Sequence, residues 1–113
     1  MSSKPSFNPQ SSTLSATAVV NFLKSNVYAI DLKDIPGVGP VTIEILEHNE
    51  VGTASQLLAK FLSFTYPGSD TISVCNEFFM WLKEIGVNAN RHNITFAMAN
   101  IADEKGVFKY EFA

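Results

Sequence analysis

Cysteine is almost missing from this chain. Cys75 stands alone among 113 residues, so neither an intrachain disulfide nor a cysteine-rich metal site can be assembled. Its surroundings favour a small buried hydrophobe over a reactive thiol. Only two histidines occur, His48 and His92, far apart and with no cysteine beside them, which argues against a zinc site. No apolar run approaches the roughly 18 residues that a membrane span requires. The opening stretch, MSSKPSFNPQSST, lacks the apolar segment of a signal peptide. No nucleophile–base pair emerges from the spacing either, so no enzyme, metal or cofactor is expected. By elimination the sequence reads as intracellular.

Positive charge is scarce as well. Eight Lys and Arg stand against eleven Asp and Glu, a net charge of −3. Phosphate affinity ordinarily comes from cations that displace counterions, so binding to nucleic acid by bulk charge is disfavoured. The distribution sharpens the point. From Asp31 to Leu62 two lysines face five carboxylates, a balance of −3 that equals the whole chain's. Glu44, Glu47 and Glu50 in that segment read as a solvated face rather than paired catalytic acids.

What the chain does have is apolar material. It is 46% hydrophobic, with nine Phe, three Tyr and one Trp, enough for one small domain. Residues 1–13, rich in Ser, Pro, Asn and Gln, read as a disordered tail, and residues 14–113 as a single helical domain. Periodicity predicts a first helix from Ser15 to Lys24, with Val19, Phe22 and Leu23 on one face. A second opens at Pro40, with Ile43 and Leu46 inward. Thr53-Ala54-Ser55-Gln56 reads as a capping box for a third, which buries Leu57, Leu58, Phe61 and Leu62. Pro67-Gly68 fits a type II bend. A fourth helix runs from Thr71 to Ile85, with Val74, Phe78, Trp81, Leu82 and Ile85 at helical spacing and Gly86 as its cap. Asn88 starts a fifth, in which Ile94, Met98 and Ile101 line one side. In the tail, Phe108, Tyr110 and Phe112 alternate with Lys109 and Glu111, which reads as a strap over the bundle or as a docking segment. The fold class is all-α, a compact bundle of about five short helices.

The distinctive local feature is Asp34-Ile35-Pro36-Gly37-Val38-Gly39-Pro40-Val41, within residues 31–62. A hydrophobic–Pro–Gly–hydrophobic–Gly turn with a helix starting at once describes a helix-hairpin-helix. Glycine admits positive φ and lets a ligand approach the backbone. The amides of Gly37, Val38, Gly39 and Val41 would then point from a helix N-terminus at an anion. Such a turn holds phosphate without reading bases. Pro40 offers no amide, and no lysine follows the turn. The same hairpin also serves purely as a packing or protein-interaction element.

Read from Phe22 onward, the order of pieces resembles the barrier-to-autointegration factor family of small chromatin proteins. The hairpin with its following helix carries the likeness, as do Lys60-Phe61-Leu62, Trp81-Leu82-Lys83, Gly86 and Asn88-Ala89, across about four-fifths of the chain. The resemblance implies a SAM-like helical homodimer in the nucleus and/or cytoplasm that bridges double-stranded DNA without sequence preference and meets nuclear protein partners. Carried over by position, the DNA-binding residues would be Gly37, Val38, Gly39 and Val41 in the hairpin, and Ala89, Asn90 and Arg91 at the start of the last helix. The start of the first helix, around Ala18, would also face DNA. The family's lysines, however, align with Ala18, Glu44, Ile45 and Asn90, and Arg91 alone restores a charge. The alternative is a diverged interaction or dimerisation module that has lost most DNA affinity.

Overall fold

In the computed structural model of the chain, which describes residues 6–111, polar caps decide where the helices begin. The side-chain oxygens of Ser15, Thr53 and Asp70 accept from the amides of Ala18 (3.0 Å), Gln56 (3.1 Å) and Ser73 (2.8 Å). Each satisfies one orphan donor of a first turn. They open α1 (Ala16–Lys24), α3 (Ala54–Leu62) and α4 (Thr71–Glu84). The Gln56 carboxamide does reach back, but to the Gly52 amide at 2.7 Å rather than to that of Thr53. α2 (Pro40–His48) and α5 (Arg91–Glu104) start without a side-chain cap, on Gly39 and Asn90. Among the described residues the fold is all-α, with two 3-10 turns at Pro9–Ser11 and Leu32–Asp34 completing it.

The C-terminal ends of α2, α4 and α5 share one device. Val51, Val87 and Val107 donate to the carbonyls of Leu46, Leu82 and Ala102, closing the helices in Schellman fashion. The residue before each valine takes positive φ: Gly86 at 100°, Gly106 at 73°, and in α2 the non-glycine Glu50 at 65°.

α5 is the axis of the bundle and packs against α1, α3 and α4. Its sequence predicts one apolar side, yet eight of its residues are buried, including Ala97, Ala99 and Ala102. These small side chains let neighbouring helices come close on several faces, so burial is broader than the large apolar residues alone indicate. Phe61 meets Phe78 edge-on at 5.2 Å and Phe108 at 5.1 Å, which joins α3, α4 and the C-terminal segment. Cys75 is fully buried, and burial pushes its thiol up to about 12, consistent with an inert packing role.

The N-terminal segment differs from the expectation, and the C-terminal one follows the strap reading. Residues 6–13 do not form a free tail: Phe7 is buried, and its amide donates to the Asn76 Oδ1 at 3.0 Å. Asn8 donates to His92 Nδ1 at 3.1 Å, and Thr13 to Asn93 Oδ1 at 2.8 Å. One aromatic side chain in a polar stretch suffices, because α4 and α5 supply the polar partners. Residues 1–5 lie outside the described residues. At the other end, Thr71 Oγ1 donates to the Lys109 carbonyl (2.7 Å) and accepts from the Glu111 amide (2.8 Å). Phe108 and Tyr110 pack on the core, so residues 107–111 form a strap; Phe112 lies outside the described residues.

Candidate nucleic-acid interface

The hairpin is built from two local decisions. Asp34 accepts from the Asp31 amide at 3.0 Å and closes the Leu32–Asp34 turn, and Pro36 then keeps Ile35 out of helical conformation. The first helix of the expected helix-hairpin-helix is therefore a single 3-10 turn. Pro36 and Gly37 occupy the centre of the next turn, which Val38 closes by donating to the Ile35 carbonyl at 3.1 Å. Gly37 has φ of 93°, as the second central position of a type II turn requires.

Gly37 also makes the close approach that assembles the site. A Cβ there would lie 3.0 Å from Asn93 Cβ, 3.2 Å from Ile94 Cγ1 and 3.3 Å from Asn90 Cβ. The hairpin thus rests directly on the first turn of α5. Of the seven sequence-derived site residues, the hairpin and the 89–91 group are brought side by side. The N-terminal segment joins them, because Asn93 Nδ2 donates to Thr13 Oγ1 at 3.0 Å, two residues before the α1 cap. Ser11, Thr13, Asn88, Asn90 and Arg91 border a polar depression of about 210 Å³ at this junction.

Individual roles shift from the expectation. The Val38 amide is spent inside the turn and its side chain is buried, so it is an anchor and not an anion donor. Among the described residues nothing accepts from the amides of Gly39, Val41 or Thr42. Thr42 was missed, although the rule that the first helical amides lack partners points to it once Pro40 is placed at the first position. Gly39 has open space where a Cβ would stand, so backbone contact there is unobstructed. Ala89 and Asn90 are exposed, with Asn90 in left-handed conformation at φ 60°, and α5 begins at Arg91 rather than Asn88.

Arg91 is the largest departure. Its Nη1 donates to the Val87 carbonyl at 2.9 Å, and its guanidinium lies 5.2 Å over the Phe79 ring. Half-buried and folded against α4, it clamps the α4–α5 turn instead of extending a cation into solvent. Beside it, burial first and the Arg91 charge second hold His92 below its ordinary 6.5. A neutral ring is what accepting from Asn8 at Nδ1 demands. Lys60, 5.1 Å from the Trp81 ring, and Lys105, 5.1 Å from the Tyr28 ring, lie over aromatics elsewhere on the bundle. The hairpin helix itself carries Glu44 and Glu47 and neither Lys nor Arg.

No group of three or more His, Cys, Asp and Glu among the described residues is placed to hold a metal ion, and no described helix is long and apolar enough to cross a membrane. Comparisons with family models, curated proteins and solved structures give no match to this chain.

Proposed function

We propose that this chain is a non-enzymatic, sequence-independent binder of double-stranded DNA, similar to the barrier-to-autointegration factor family, which works as a homodimer to bridge duplexes. The observation that carries the reading is the set of unpartnered amides of Gly39, Val41 and Thr42 at the start of α2, beside a glycine surface with no side chain in the way. Amides in that arrangement hold a phosphate oxygen through the positive end of a helix and ignore base identity. The exposed start of α5, held against Gly37, supplies a second backbone contact region.

Charge sets the strength. With Arg91 turned inward and no lysine on α2, few counterions are released on binding. Affinity should accordingly be weak, with a log–log salt slope of about −1 or shallower per protomer. Fluorescence polarisation with two duplexes of unrelated sequence, across a salt series, tests this. Equal weak affinities and a shallow slope support the proposal; no binding even at low salt contradicts it. Light scattering tests the homodimer separately, and a monomer at high concentration opposes bridging.

A further inference from the structure

α2 carries a second apolar side that the bundle covers only in part. Thr42 and Leu46 are buried, whereas on another side of the helix Ile45 is half-buried against the core and Val41 is 71% exposed. With Glu44 and His48 they recur at helical spacing, so the four share one stripe. That stripe, with Asn49 and the half-buried Ile85 from the end of α4, lines an open groove of about 350 Å³. The bundle covers Ile45 and Ile85 only in part and leaves Val41 in water, so the groove keeps an apolar floor within reach of a ligand.

The electrostatics select the occupant. The groove runs from Val41 in the first turn of α2 past Glu44 to the capped C-terminal ends of α2 at His48–Asn49 and of α4 at Ile85. It is at this far end that the partial negative charge of the two helices adds to that of Glu44. The Asn49 carboxamide donates its Nδ2 to the Ile45 carbonyl at 2.8 Å, which leaves its oxygen as a further acceptor. Glu44 adds a full negative charge on the stripe, and Arg or Lys are absent from the lining. An apolar floor under a negative field fits a segment that presents one aliphatic side chain and one or two cations.

We propose that this groove is a docking site for a basic amphipathic segment of a partner protein, with an aliphatic side chain seated on Val41, Ile45 and Ile85 and a Lys or Arg set against Glu44 and the two helix ends. The site does not depend on the DNA reading, because its contacts are side chains of α2 and α4 rather than hairpin amides.

The test is a titration of the isotope-labelled full chain with a synthetic leucine/lysine helical peptide, and with its leucine/glutamate counterpart. Expected is a saturable shift of the Val41, Ile45, His48 and Ile85 amide resonances with the lysine peptide alone. Glu44→Lys should weaken that binding about fivefold or more, and Val41→Ser by a similar factor. Both positions are exposed, so neither variant disturbs the core. Shifts that map elsewhere, equal response to the glutamate peptide, or indifference to both substitutions would overturn the proposal. So would groove resonances that move with protein concentration alone and do not respond to the lysine peptide, because the occupant would then be a second copy of the chain.

Discussion

Glu50 shows how much one residue reveals at its own scale. It occupies the left-handed position of a helix-closing motif that Gly86 and Gly106 fill elsewhere in the same chain. A side chain there costs about 1 kcal/mol. Glycine there also loosens the unfolded chain, which takes back about 0.4–1 kcal/mol, so Glu50→Gly should raise stability by a net of about 0.5 kcal/mol in urea denaturation. The two hairpin glycines make the opposite pair. Gly37→Ala places a methyl 3.0 Å from Asn93 Cβ at φ 93°, and should destabilise by about 2 kcal/mol or more. Gly39 has φ of −109° and open space, so Gly39→Ala should leave thermal unfolding nearly unchanged. Equal destabilisation by both substitutions would contradict this division of structural and contact roles.

At the scale of elements, the sequence was most legible where the causes are local. The Thr53 cap, the glycine at Gly86 and the hairpin turn, each read from the sequence, depend on residues within a few positions of each other, as do the caps at Ser15 and Asp70 that the structure adds. The segment 6–13 was not legible, because its partners lie 69, 84 and 80 residues away at Asn76, His92 and Asn93. Arg91 was misread for a related reason: nothing local announces that Phe79 will stand under its guanidinium. The same segment carries a pH dependence. His92 titrates below its ordinary 6.5, with Arg91 as the charged neighbour and the Phe7 and Phe79 rings on its other sides. Detached, it takes up a proton at higher pH than attached, so attachment is complete above about pH 6.5 and weakens as pH falls through the depressed value. Protonation at Nδ1 removes the acceptor for Asn8, whereas the Thr13–Asn93 pair has no titrating group. Hydrogen exchange at the Asn8 amide, corrected for intrinsic rate, should accelerate on acidification while the Thr13 amide stays protected. Unchanged Asn8 protection from about pH 7 to about pH 5 would oppose this.

At the scale of the whole molecule, fold and charge have different histories in the chain. The radius of gyration, 13.1 Å, is that expected of a single domain of this length. Within it the hairpin, the start of α5 and the N-terminal segment meet as one surface. That juxtaposition needed the tertiary structure; the shortage of cations on it was plain from composition. The resulting surface offers amides where charge is lacking, with an acidic, apolar groove along the next stretch of α2. The DNA and docking readings also respond oppositely to one change, since Glu44→Lys adds a cation beside the hairpin and removes the anion from the groove.

The most direct measurement is therefore duplex binding by polarisation at low salt for the native chain, Gly39→Ala and Glu44→Lys. The account predicts that Gly39→Ala loses most of the binding with its fold intact, because a methyl now stands where the phosphate approaches. Glu44→Lys should bind about three- to tenfold more tightly with a steeper salt slope. Undiminished binding by folded Gly39→Ala would contradict the claim that hairpin amides hold the DNA.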